Sequence, residues 1–244
     1  MVIVNKGKMR KLLFASALLC CISHLHAQVG EKRYDFSVGG SLGYTFNRMD
    51  FQPTVKQTMK NDMAFGFATR YVCEKYFTAI CAVQAEVNYW NLGWKELIDD
   101  GSGNTYMRNL SYVQVPLLMQ MGWGRERRGA KFIFEAGPQL GYYLGGSDER
   151  GGGVWDVSHR PNKVTHQYDH EPDNKFDYGI AVGAGLELST ALGHIQLTGR
   201  YYYGLADIYD NSKKGFFGRS ANQTIYAKIT YLFDIVKTNN PSIK

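Results

Sequence analysis

Residues 176–205, FDYGIAVGAGLELSTALGHIQLTGRYYYGL, constrain the fold more than any other stretch. In the first arm Phe176, Tyr178, Ile180, Val182, Ala184, Leu186 and Leu188 fall on one face, and Asp177, Gly179, Ala181, Gly183, Gly185 and Glu187 on the other. That is the two-residue period of a β-strand. After a turn over residues 189–193, the second arm sets Ile195, Leu197, Tyr201 and Tyr203 against His194, Gln196, Thr198, Arg200 and Tyr202, so the pair reads as a β-hairpin. The polar face of the first arm is mostly Gly and Ala, with a carboxylate near each end. A solvated face needs no such small residues, whereas a narrow lumen crowded by side chains such as Arg200 does. The apolar row then faces outward, where it is stable only against lipid. A soluble sandwich or lipocalin-like barrel with the apolar row inside fits this hairpin by itself as well.

The N-terminal residues bear on that choice. Lys6, Lys8, Arg10 and Lys11 precede an apolar run over residues 12–22, and Ala27 before Gln28 suits cleavage, so residues 1–27 read as a secretory signal peptide and 28–244 as the mature domain. The run is shorter than the roughly 20 residues a spanning helix needs. Acylation at Cys20 or Cys21 is the alternative, disfavoured by the bulky Leu19. The net charge of +6 includes those four leader cations and no leader acid, leaving the mature chain near +2. A basic pI is therefore no argument for nucleic acid, and no basic helix or phosphate-binding glycine loop supports one.

Six further segments alternate as the hairpin does, with outward rows led by Phe36, Met63, Cys81, Val113, Phe132 and Ile225. Eight strands result, each about the length that crosses a membrane when tilted. The connections alternate in length: long over 47–61, short over 74–78, long over 93–107, short over 123–129, very long over 145–175, short over 189–193 and long over 206–221. Short turns at one end and long loops at the other belong to an outer-membrane barrel. The expectation is an all-β, eight-stranded, antiparallel, up-and-down transmembrane β-barrel with a side-chain-filled lumen, lipid as its surroundings, and both termini on the periplasmic side. Pro116 and Pro138 each remove a ladder donor, which predicts local bulges.

The segments NYWNLGWK (88–95), LSYVQVPLLMQM (110–121), FEAGPQLGYYL (134–144) and FDYGIAVGAGLEL (176–188) followed by GRYYYGL (199–205) resemble the PorT-like family of outer-membrane barrels, in that family's order and across most of the mature chain. The resemblance implies a barrel. Through the member associated with type IX secretion, which exports proteins carrying a C-terminal sorting domain, it also implies a non-enzymatic accessory whose partners are other secretion components. It transfers no catalytic residues.

Arg70, Glu86, Lys131, Glu135, Glu187, Arg200 and Lys228 all stand on the inner row. On the lipid face a Lys or Arg at the midplane would cost about 2–4 kcal/mol, so these groups are expected to point inward and pair. An eight-stranded barrel is only wide enough for side chains to fill, which favours a structural salt-bridge plug over a proton or ion path. The 145–175 loop holds His159, His166 and His170 among carboxylates, but irregular spacing without rigid support points to a solvated loop rather than a metal site. Ser158 beside His159 lacks the oriented third group a hydrolase needs. A hydrocarbon-binding lumen would want an apolar interior, which the charge row denies. Trp155 is the candidate loop contact, for a partner or as an interfacial anchor. Cys73 and Cys81 flank a short turn with equal parity, so a cross-strand disulfide and two unpaired lipid-facing thiols both fit. No cofactor or metal is implied. Besides the secretion accessory, two roles remain open from the residues: a binding or adhesion barrel that works through its loops, and a small-solute channel.

Overall fold

The computed structural model describes residues 31–126, 128–158, 164–212 and 215–238; residues 1–27, expected to be a signal peptide, and His159 lie outside them. Nine strands are formed among these residues: β1 (Glu31–Gln52), β2 (Gln57–Thr58), β3 (Lys60–Tyr76), β4 (Ala79–Glu96), β5 (Thr105–Gly124), β6 (Gly129–Gly151), β7 (Phe176–Ser189), β8 (His194–Gly204) and β9 (Arg219–Val236). Eight of them close a ring in the order β1–β3–β4–β5–β6–β7–β8–β9, every pairing antiparallel and β9 returning to β1. The two-residue β2 hydrogen-bonds to the far end of β4 through Gln57 opposite Glu96 and Thr58 opposite Lys95.

The opening hairpin forms as its alternation requires, with Gly183 opposite Arg200 and Leu186 opposite Leu197. Its apolar row faces outward, where Ile180, Leu186 and Leu197 are exposed, while Ala181, Glu187, Gln196 and Tyr202 are fully buried in the lumen. The small residues are there for volume. A Cβ on Gly183 would come within 2.4 Å of Arg200 Cγ, and one on Gly141 within 2.6 Å of the Gln114 amide.

Five of the ring strands are 18 residues long or more: β1, β4, β5, β6 and β9 run 22, 18, 20, 23 and 18 residues. A tilted crossing needs about 9–11, so the wall continues well past the lipid at the end bearing the long connections. There the outward row turns polar, through Arg48 and Asp50 on β1, Asn91 and Lys95 on β4, Asn109 on β5, and Ser147 and Glu149 on β6. The expected loops over 47–61, 93–107 and 145–175 are accordingly shorter than the sequence implies. On β6 a register shift opposite Ser111 and Tyr112 reverses the parity after Tyr143, so that Ser147 faces Asn109 on the outside.

The expected bulges at the prolines do not form. Pro116 opposes Gln139 and Met119 opposes Ala136 in one unbroken register. The missing donors interrupt the ladder without shifting it: no pairs join Leu117 and Leu118 to β6, or Pro116 and Val115 to β4.

Candidate functional site

The lumen concentrates the chain's buried polar groups. Arg70, Glu86, Lys131, Glu135, Glu187, Arg200 and Lys228 all project into it, and none is more than 6% exposed. They gather around two carboxylates. Glu86 is gripped by Arg200, whose Nη2 and Nη1 lie 2.6 and 2.9 Å from its two oxygens, and by Lys228 at 2.5 Å. Arg200 also donates through Nε to Glu135 and through Nη1 to Tyr226 Oη at 2.6 Å. Glu187 takes Arg70 at 2.5 Å, Lys131 at 2.9 Å and His194 Nδ1 at 2.8 Å. Amides connect the two groups: Gln196 donates to Glu187 at 2.9 Å, Gln120 to Glu135 at 3.3 Å, and Gln84 to Glu86 at 2.6 Å. Charges removed from water persist only when paired and hydrogen-bonded in this way.

His194 and Asp177 belong to the same inner row but carry no expectation from the sequence. His194 Nε2 reaches Asp234 at 3.0 Å, linking Glu187 to the last strand, and Ser37 donates to Asp234 at 2.6 Å. Asp177 has no basic partner among the described residues; it accepts from Asn222 at 3.0 Å. Beyond this, at the turn end, Glu126 lies between β5 and β6 and reaches Lys75 at 2.6 Å and Arg33 at 3.2 Å. Partial burial would raise the Glu126 carboxyl, but the two cations hold it below the ordinary carboxylate range.

The loop half of the interior overturns one expectation. It is apolar and aromatic: Met49 and Phe51 from β1, Trp90, Leu92 and Trp94 from β4, Tyr106, Leu110 and Tyr112 from β5, Tyr143 from β6, and Val164, Ile208, Tyr209 and Phe217 from the long connections form one buried cluster. Phe51 packs edge-on to Trp94 at 5.0 Å and against Phe217 at 5.2 Å. Where the outside is water rather than lipid, the wall buries apolar side chains inward as a soluble sheet would. The charge row therefore denies an apolar interior only to the other half.

Trp155 belongs to this cap. Its ring stands 5.3 Å from Tyr168 and 6.0 Å from Tyr106, with the Arg150 guanidinium 5.1 Å from its centroid. It is half-buried, with these contacts to its own chain. Of the loop histidines, His166 stacks on Phe216 at 3.9 Å and His170 pairs with Asp173 at 3.2 Å. Among the described residues no group of three or more His, Cys, Asp and Glu side chains is placed to hold a metal ion. Ser158 donates to Asp156 at 2.7 Å. The loop is anchored to the rim by Arg108, which reaches Asp148 at 2.5 Å and Glu171 at 2.9 Å, and by Tyr143, whose hydroxyl donates to Glu171 at 2.5 Å. The Tyr143 hydrogen bond, helped by Arg108, holds the Glu171 carboxyl below its usual range.

Cys73 and Cys81 are free thiols, both half-buried on the outer face. Equal parity does not bring them opposite one another, because a register shift between Val72 and Glu74 sets Glu74, not Cys73, against Cys81.

A closed antiparallel ring, an apolar outer belt and a charge-filled lumen are the features of a barrel built for lipid. Residues 26–210 match the model of the outer membrane protein beta-barrel domain. The chain belongs to that family. Its location is thus the outer membrane. Among solved structures, Neisserial surface protein A (NspA) is 11% identical with a TM-score of 0.42, over 80% of this chain and 96% of its own. The outer membrane protein OprG from Pseudomonas aeruginosa is 11% identical with a TM-score of 0.42, over 84% of this chain and 96% of its own. Ail, the attachment invasion locus protein of Yersinia pestis, is 13% identical with a TM-score of 0.35, over 83% and 99%. No curated protein matches the chain.

Proposed function

We propose that this outer-membrane barrel is a non-enzymatic accessory of type IX secretion, inserted with its termini and short turns in the periplasm and its long loops outside. The secretion role rests on the resemblance of the 88–95, 110–121, 134–144, 176–188 and 199–205 segments to the PorT-like family. The observation that carries the mechanism is the lumen itself: the paired charges around Glu86 and Glu187 and the aromatic cap above them leave no width for a polypeptide. The barrel would act by contact, through its lipid-facing wall, turns or loop surface, on the components that carry the cargo. A deletion in the native host tests this. Proteins with C-terminal sorting domains should accumulate unprocessed inside the cell while the outer membrane stays intact; normal delivery to the surface would refute the role.

The packed loop end favours a second reading, a binding or adhesion barrel. It presents two open clefts of about 680 and 480 Å³, the first lined by Tyr142, Lys175, Phe176 and Asp207, the second by His166, His170, Tyr209 and Phe216. Under that reading the deletion leaves secretion intact, and substitutions in the clefts abolish surface attachment. A small-solute channel requires conductance in a planar bilayer, where the filled lumen predicts silence.

A further inference from the structure

On β1 the last apolar outward residue is Phe46, and the next outward position is Arg48. Arg48 Nε donates to Gln223 Oε1 at 2.8 Å, and Gln223 is itself buried, at 8% exposure. The guanidinium is thus held in place by one edge. Asp50, the carboxylate two residues along, is occupied by Arg219 Nε at 2.7 Å, and Arg219 also donates to Tyr203 Oη at 2.8 Å. Among the described residues Arg48 has no carboxylate partner, and its two terminal nitrogens make no hydrogen bond. Arg48 borders a notch of about 150 Å³ at the boundary where the outer row turns from apolar to polar, lined with it by Phe46, Met59, Tyr201, Gln223 and Ile225.

An arginine on the lipid face is tolerated at the interface, where its charge meets headgroups rather than hydrocarbon. Its free edge has the planar fork that matches phosphate, and the surrounding side chains match the first part of an acyl chain. We propose that Arg48 and this notch form a binding site for a phosphate-bearing glycolipid of the outer leaflet. The phosphate meets the Nη1 and Nη2 edge, and the lipid chain lies against Phe46, Met59 and Ile225. Placement in the outer leaflet rests on the loops facing outward, but the site is independent of any role in secretion. It would give the barrel a fixed lipid at the β1–β9 seam, where the ring closes.

The test is native mass spectrometry of the barrel released from detergent micelles after incubation with lipid A. Folding of each variant is verified by heat-modifiable gel mobility. Wild type and Lys32→Gln, which removes an exposed cation at the opposite end of β1, should retain bound lipid A. Arg48→Gln should bind it about tenfold more weakly, the loss of one charge-assisted contact, and Arg48→Lys should fall between. Lipid A stripped of its phosphates should bind wild type as weakly as intact lipid binds Arg48→Gln. Binding in detergent does not depend on orientation, so a negative result speaks to the site alone. Equal retention by wild type and Arg48→Gln, equal retention with and without phosphates, or phosphatidylglycerol held as tightly as lipid A would each overturn the proposal.

Discussion

Replacing Arg200 by Met probes the lumen at its most connected point. The side chain has four donor contacts, two to Glu86, one to Glu135 and one to Tyr226. Its loss falls unequally on the two carboxylates. Glu86 keeps Lys228 at 2.5 Å, whereas among the described residues Glu135 keeps only the hydrogen bond from the Gln120 amide at 3.3 Å. One fully buried carboxylate is left without a cation, which costs about 3–5 kcal/mol. On the scaling for chains of 150–250 residues, that lowers the unfolding midpoint by about 6–20 °C. The double substitution Arg200→Met with Glu135→Gln restores charge balance, leaving Glu86 paired to Lys228, and should recover the greater part of the loss. The temperature at which the compact band converts to the unfolded one on a gel reads this directly in wild type, both single variants and the double. If Arg200→Met melts with wild type, or if the double variant is no better than Arg200→Met, the buried network is not what holds the lumen together.

Volume in the same region is tested by a matched pair of glycines. Gly183→Ala drives a methyl to within 2.4 Å of Arg200 Cγ and 2.7 Å of the Gly199 carbonyl and should destabilise by about 1–3 kcal/mol, whereas Gly199→Ala, with nothing within 4 Å, should melt as wild type does. The anchoring of the 152–175 connection should depend on pH. The Glu171 carboxyl is held below its ordinary range in the folded state by Tyr143 and Arg108, so its contribution is fully present above the unfolded carboxylate pKa of about 4.3. It is lost as pH falls through the lower folded value. Tryptophan emission assigned by comparison with Trp155→Phe should therefore hold steady from pH 7 to 5 and shift below about pH 4, and Glu171→Gln should remove that component. Cys73 and Cys81 should both label with a thiol-reactive reagent without prior reduction, and reductant should leave gel mobility unchanged; failure to label until reduction would show a bond between them.

The lipid-embedded part of this chain is legible because lipid outside and tightly packed side chains inside impose one unbroken alternation, apolar out and polar or small in. Residues 176–188 show it plainly, and the placement of Arg200 beside Gly183 follows from it. Above the lipid the period persists but its polarity inverts. Met49, Phe51, Leu92, Trp94, Tyr106 and Leu110 turn inward while Arg48, Asp50, Asn91 and Asn109 turn outward. A reading tuned to apolar-out strands takes these stretches for loops, although the two-residue period was the signal that would have kept them in the wall. On β6 even the period fails, because the bulge opposite Ser111 and Tyr112 exchanges the two faces after Tyr143. The separation of Cys73 from Cys81 has the same cause on β3: parity is read from sequence, but a bulge is a choice made by the paired ladder.

The inversion also bears on what the barrel can do. The charged half and the aromatic half fill one continuous interior, and each is stabilised by a different exclusion of water. In the lipid zone it is paired charge, rigid because every partner is fixed by another, as Glu187 is by Arg70, Lys131 and His194. In the emergent zone it is apolar packing, drawn partly from the connections themselves through Val164, Ile208, Tyr209 and Phe217. The loops are thus part of a core, and a change at the outer surface that displaces Tyr209 or Phe217 must also disturb Phe51 and Trp94 on the wall. A partner that engages the loop end therefore meets a surface already ordered and loses little conformational entropy in binding it. A gate, by contrast, would have to break the aromatic cluster and the ion network together, which makes contact a far less costly mode of action than passage.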